Sequence, residues 1–274
     1  MQMTMVTTMT TTNQLLASIH QGAPLFIIVD VNQYQDPLVL FKLVEGMESR
    51  PLFRDTPYRE LIPYSPLLIR LNGQNQSLVD DIFHRLAGCI IESTHSLDDL
   101  NQILGEMLLA EQQSQGKVYA RFFSPPMART ILQSTAMSHC WRGCSQVWLP
   151  CYRGEKWVQF ERPQYNVPAT LIFTQKDEQV LHAEHLTYLL AKSSAWQDIA
   201  ISHVILAAQS LAQLAAIEPL STKNMTLWSE WLAANLSVMT DASWMTLITN
   251  PISNNAKWQR AQELFNQVAE NTHA

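Results

Sequence analysis

Glycine is scarce in this chain, with eight in 274 residues. None of them forms G-x-G-x-x-G or a phosphate-binding P-loop, which weakens the case for nucleotide chemistry. A G-x-S-x-G nucleophile elbow and an H-E-x-x-H zinc motif are also missing, so the common serine-hydrolase and zinc-protease arrangements lose support. Charge is sparse as well, at 15% of residues, with 18 Lys plus Arg against 24 Asp plus Glu and a net charge of −6. No dense basic run occurs, and without a basic stripe a nucleic-acid partner is not expected. The most apolar early run, Pro24 to Val31, is far too short to span a bilayer. Met1–Asn13 has neither a basic n-region nor an apolar h-region, so it does not read as a secretory signal. It reads as a disordered Thr- and Met-rich leader, and the protein is expected to be soluble and cytoplasmic. Four cysteines, Cys89, Cys140, Cys144 and Cys151, are expected as reduced thiols. His139 with Cys140-x3-Cys144 and Cys151 invites a zinc reading, but the second half of such a site lacks a close pair. No metal or cofactor is expected.

The chain does have apolar content, 47%, enough to bury a core. The first 175 residues alternate between strand and helix signals. Pro24 to Val31 reads as a strand buried on both faces. Asp36 can cap a helix over Pro37–Gly46, with Pro at its first position. Further strands are expected over Pro66–Leu71, Gly88–Glu92 and Lys117–Phe123. Helices are expected over Ser77–Ala87 and from a Ser96 cap to about Gln113. Gln146–Leu149, Lys156–Phe160 and Ala169–Thr174 follow as strand-like pieces, the first two joined across Arg153-Gly154. From Leu181 onward only helical periodicity remains. The fold class is therefore α/β (α+β): a mixed β-sheet with flanking helices, then an all-helical C-terminal part. Residues 1–22 are read as a leader and first helix, 23–178 as the α/β domain and 179–274 as a helical lobe.

Some residues invite a functional reading. Asp30 ends the first buried strand, where open α/β sheets place their sites. A phosphoryl-transfer Asp nucleophile, as in haloacid-dehalogenase-like enzymes, usually has a second Asp two positions on, and Asn32 stands there. The plainer expectation is that the Asp30 carboxylate caps the following turn. Arg121 is expected inside a strand, sharing a face with Tyr119 and Phe123. A charge there needs a partner, and either an internal ion pair or an anchor for a binding partner would provide one. Trp228, Trp231, Leu232, Leu236 and Met239 follow helical spacing, with Trp244 and Trp258 nearby. They suit a bundle core, or an aromatic groove for a partner. His182 and His185 are three apart without an evident third metal ligand.

Several stretches together resemble the type VI secretion effector chaperones, or adaptor proteins. Leu25 to Asp30 is similar to that family's opening strand ending in Asp. Pro51-Leu-Phe-Arg-Asp-Thr-Pro-Tyr-Arg-Glu-Leu61 resembles its Leu-Phe pair and short helical turn. Ser65-Pro66-Leu-Leu-Ile-Arg-Leu71 and Ser96-Leu-Asp-Asp-Leu100 resemble the next strand and the start of its long helix. Val118-Tyr-Ala-Arg-Phe-Phe-Ser-Pro125 resembles its strand running into Arg-Phe-Tyr-Asp-Pro, with Ser124 in place of Asp. The Trp148 and Trp157 region resembles the terminal strands. The resemblance covers roughly residues 24–175 and, more weakly, the helix near 181–198.

That resemblance implies a non-catalytic adaptor. It would bind a cognate type VI effector and promote its loading onto the spike protein VgrG, with neither a nucleic-acid nor a membrane partner. Asp30, Arg121, Phe123, Trp228, Trp231 and Trp244 are the candidate partner-binding residues. The competing readings are an α/β enzyme with its site near Asp30 and Arg121, and a toxin-neutralising immunity protein.

Overall fold

The computed structural model describes residues 8–20, 24–134, 136–153, 156–161 and 170–271. The chain divides into two units, Met1–Gln175 and Lys176–Ala274. In the first unit, strand β1 (Thr8–Thr11) and helix α1 (Thr12–His20) precede β2 (Leu25–Val29), α2 (Pro37–Leu43), β3 (Ser49–Pro51) and β4 (Leu67–Arg70). There follow α3 (Gln76–Arg85), β5 (Gly88–Glu92), α4 (Leu97–Gly105), β6 (Leu109–Gln112) and β7 (Gly116–Tyr119). Helix α5 (Pro125–Gln133) and strands β8 (Gln146–Pro150), β9 (Lys156–Glu161) and β10 (Leu171–Phe173) complete it.

A seven-stranded sheet runs β1-β9-β8-β5-β2-β4-β3, and a three-stranded one runs β10-β6-β7. Every pairing in the larger sheet is antiparallel; the one parallel pairing described, β10 with β6, is in the smaller sheet. The expected α+β class holds. The rule that placed a site at the carboxyl ends of parallel strands does not transfer to β2, whose neighbours both run against it.

The strand period of two explains why β2 is apolar at every position. Phe26 and Ile28 face one core, with Leu97, Leu100 and Leu104 of α4 and Ile131 and Leu132 of α5. Leu25, Ile27 and Val29 face the other, with Leu15 and Leu16 of α1 and Leu78, Val79 and Ile82 of α3. Gly88 is required where β5 meets β2, because a Cβ there would overlap the Ile28 carbonyl.

Three expectations change. The disordered leader fails from Thr8 onward, because β1 pairs with β9 and Trp157 donates from Nε1 to the Thr12 hydroxyl (3.1 Å). Its first seven residues, like the turn at Gly154 and the start of the Ala169 strand, lie outside the described residues. The Ser96-capped helix stops at Gly105, and a 3-10 turn over Glu106–Leu108 leads into β6. Leu108 and Ala110 are buried while Leu109 is 39% exposed, so the apolar residues there obey a strand period. Finally, β7 ends at Tyr119, and a turn closed by Ser124 N–H on the Arg121 carbonyl takes Phe123 off the face that holds Arg121.

The second unit is helical: α6 (Gln175–Lys192), α7 (Ile201–Ile217), α8 (Thr222–Ala234), α9 (Ala242–Thr249) and α10 (Asn254–Asn271). Alanines 207, 208 and 212 on α7 are buried, leaving room for large neighbours. Trp244 Nε1 donates to Ser210 Oγ (3.0 Å) and Trp196 Nε1 to Ser229 Oγ (2.8 Å), so these buried indoles keep a partner.

Candidate functional site

Asp30 follows β2 directly and is 1% exposed. Its Oδ1 accepts the N–H of Asn32 (3.0 Å) and so caps a 3-10 turn over Val31–Gln33. Its Oδ2 is paired with the Arg121 guanidinium, whose side chain remains 42% exposed. Both carboxylate oxygens are therefore engaged, and the ion pair and turn cap expected from sequence coexist on one residue. Tyr119 lies near this charge. Burial, then the Asp30 carboxylate, pushes its phenol well above the usual tyrosine range, so it stays protonated. Phe53, Tyr58 and Tyr119 form a trio of rings with centroids 5.3 to 5.7 Å apart.

The capped turn leads to an exposed apolar surface. Asn32 donates from Nδ2 to the Tyr64 carbonyl (3.3 Å), tying the Val31–Gln33 turn that precedes α2 to a 3-10 turn over Arg59–Tyr64. Asp36 caps α2 by accepting the Leu38 N–H (3.0 Å), and Pro37 occupies the first turn. Yet α2, with the sequence PLVLFKL, buries only Leu40. Leu38, Val39 and Phe41 are exposed, as are Leu61, Ile62 and Tyr64 on the 59–64 turn, which buries none of its residues. Large apolar side chains gathered on two short, linked segments are unusual on a surface that meets only water. Sequence reading missed them because PLVLFKL looks like an ordinary core helix.

The other candidates fall elsewhere. Phe123 is 0% exposed, packed against Phe122 in the core, and is corrected from a partner-facing residue to a core residue. Trp244 (0%) and Trp228 (2%) are likewise inside the helical unit. Trp231 and Trp258 are half-buried beside them, with the Trp228–Trp258 centroids 4.7 Å apart. The expected aromatic groove reduces to a cleft of about 70 Å³ lined by Asn224, Leu227, Trp228, Asn254, Asn255 and Trp258. Three of the four thiols are buried, and burial raises that of Cys89 well above the usual cysteine range. Among the described residues, no group of three or more His, Cys, Asp or Glu side chains could hold a metal ion. No helix among them is long and apolar enough to cross a membrane.

Residues 25–142 match a family described as a domain of unknown function (DUF4123). The matched stretch opens at β2 and ends within the first unit. It contains Asp30, α2, the 59–64 turn, β7 and Arg121, and the helical unit lies wholly outside it. No curated protein and no solved structure matches the chain.

Proposed function

We propose that this chain is a cytoplasmic, non-catalytic adaptor that binds a type VI secretion effector and promotes its loading onto the VgrG spike. The reading starts from the resemblance of residues 24–175 to effector chaperones and from the DUF4123 match over residues 25–142. The observation that carries it is the apolar surface of α2 and the 59–64 turn. A helix that buries one residue in seven while exposing Leu38, Val39 and Phe41 has apolar area left for a partner. Each Å² covered is worth about 25 cal/mol before ordering costs. Arg121 and the tyrosines near it add the residue types that dominate binding hot spots. Asp30 acts from beneath, holding Arg121 and the turn in place. The helical lobe, outside the matched stretch, supplies what distinguishes one effector from another.

The test is co-purification with a type VI toxin of the same cell, together with secretion of that toxin from a deletion strain. The adaptor reading expects a soluble complex, and loss of secretion without loss of viability on deletion. Normal secretion of a soluble toxin in the deletion strain overturns it, as does death of the deletion strain on contact with siblings.

A further inference from the structure

We propose that the cleft between the first turns of α8 and α10 receives a primary carboxamide, the head of a glutamine or asparagine side chain on a partner polypeptide. Asn224, Leu227 and Trp228 line it from α8, and Asn254, Asn255 and Trp258 line it from α10. The Trp228 and Trp258 rings meet edge to face at 89°, so each helix brings an indole to one small space. Asn254 is 4% exposed and is held by Glu218, just past the end of α7. Its backbone N–H donates to Glu218 Oε2 (2.6 Å), and its Nδ2 donates to the Glu218 carbonyl (2.9 Å). A carbonyl only accepts, so the nitrogen of this amide faces Glu218 and Oδ1 is the acceptor left over. Among the described residues that oxygen has no hydrogen-bond partner. An unpaired buried acceptor is destabilising, and a donor delivered into the cleft relieves it.

The surroundings select which donor. A carboxylate has no proton to give and would meet the Glu218 carboxylate that already holds Asn254. An ammonium or guanidinium would bring a second positive charge to a turn of α10 that buries Lys257, whose Nζ donates to the Ile248 carbonyl (2.9 Å). It would also meet the positive ends of two helices. A neutral group avoids both conflicts. The side-chain amides of Asn224 and Asn255 make no hydrogen bond among the described residues, and each can donate or accept. A hydroxyl offers one donor to these three amides. A primary carboxamide offers two donors and an acceptor, and its flat faces suit an indole wall. The cleft holds about 70 Å³, room for a few water-sized groups, which admits the end of a side chain and leaves its backbone outside.

This inference does not rest on the adaptor reading, and its test needs no effector. The indole N–H signals of Trp228 and Trp258 are followed by NMR in the full chain during titration with N-acetyl-glutamine methylamide. Saturable shifts, largest at those two signals, are expected with a Kd of about 1 mM for so small a head. The glutamate, lysine and serine counterparts should bind about tenfold more weakly. Asn254→Ala should weaken the glutamine probe about tenfold. Asn255→Asp is an exposed change that suits a helix N-terminus, so it keeps the test sound if Asn254→Ala fails to fold; it should weaken the probe about threefold. The proposal is overturned if the glutamine probe gives no saturable shift, if any of the three counterparts binds as tightly, or if Asn255→Asp leaves the affinity unchanged. Free glutamine binding about tenfold more tightly than the capped form also overturns it, because a free amino acid is then the ligand.

Discussion

The two units hide their apolar residues differently. In the helical unit, exposed apolar side chains such as Leu189, Ile217, Leu227 and Met245 are scattered one or two to a helix, while the tryptophans gather inward. Scattered single residues need no partner to explain them. In the α/β unit, the sheet cores are sealed on both faces, yet six large apolar residues crowd onto α2 and the 59–64 turn. Tryptophans are therefore a poor guide to the exposed apolar surface here. Trp and Phe residues supply bulk inside each unit, and the available surface is made of Leu, Val, Ile, Phe and Tyr on short segments with little to pack against.

The largest effects should come from the buried aromatics. Trp244→Ala and Phe123→Ala should each cost about 3–5 kcal/mol in denaturant unfolding, as large-to-small core changes do. A cost below about 1 kcal/mol at Trp244 would mean that the tryptophans form a surface after all, and the contrast between the units would collapse. Asp30→Ala removes a turn cap and strands Arg121. Because that guanidinium can reach water, the loss should be smaller, about 2 kcal/mol, and Asp30→Asn should retain part of the cap and lose less.

The surface residues should show the reverse pattern. Phe41→Gln with Ile62→Gln should leave stability within about 0.5 kcal/mol, yet weaken toxin capture about tenfold, read by titration calorimetry. An unchanged affinity would remove α2 and the 59–64 turn from the interface. The smallest effect is pH-dependent. Burial, then the neighbouring His185, holds the half-buried His182 below the usual 6.5. The unfolded chain then takes up the proton first, so stability present above that value declines as pH falls through the folded pKa. His182→Gln should flatten this slope, visible as a smaller difference in denaturant midpoint between about pH 7.5 and 5.5.

Much of this architecture was readable because local signals agreed. Asp36-Pro37 and Ser96 capped helices where expected, and the unbroken apolar run at Leu25–Val29 became a strand with a core on each side. The helical character after residue 178 also emerged as five α-helices. Misreadings arose where one pattern served two structures. Met107 and Leu108 fit a helical stripe, but a buried–exposed–buried alternation over Leu108–Ala110 leads into β6. Arg121 and Phe123 fit a strand, but the backbone turns between them.

By itself, the sequence determined the element types, the caps and the change from mixed to helical character, because those depend on neighbours a few residues away. The tertiary structure alone decided that PLVLFKL stays on the surface while Phe123 and Trp244 go inside, and that β7 is an edge. An apolar side chain is buried only if other elements arrive to cover it, and those elements come from distant parts of the chain.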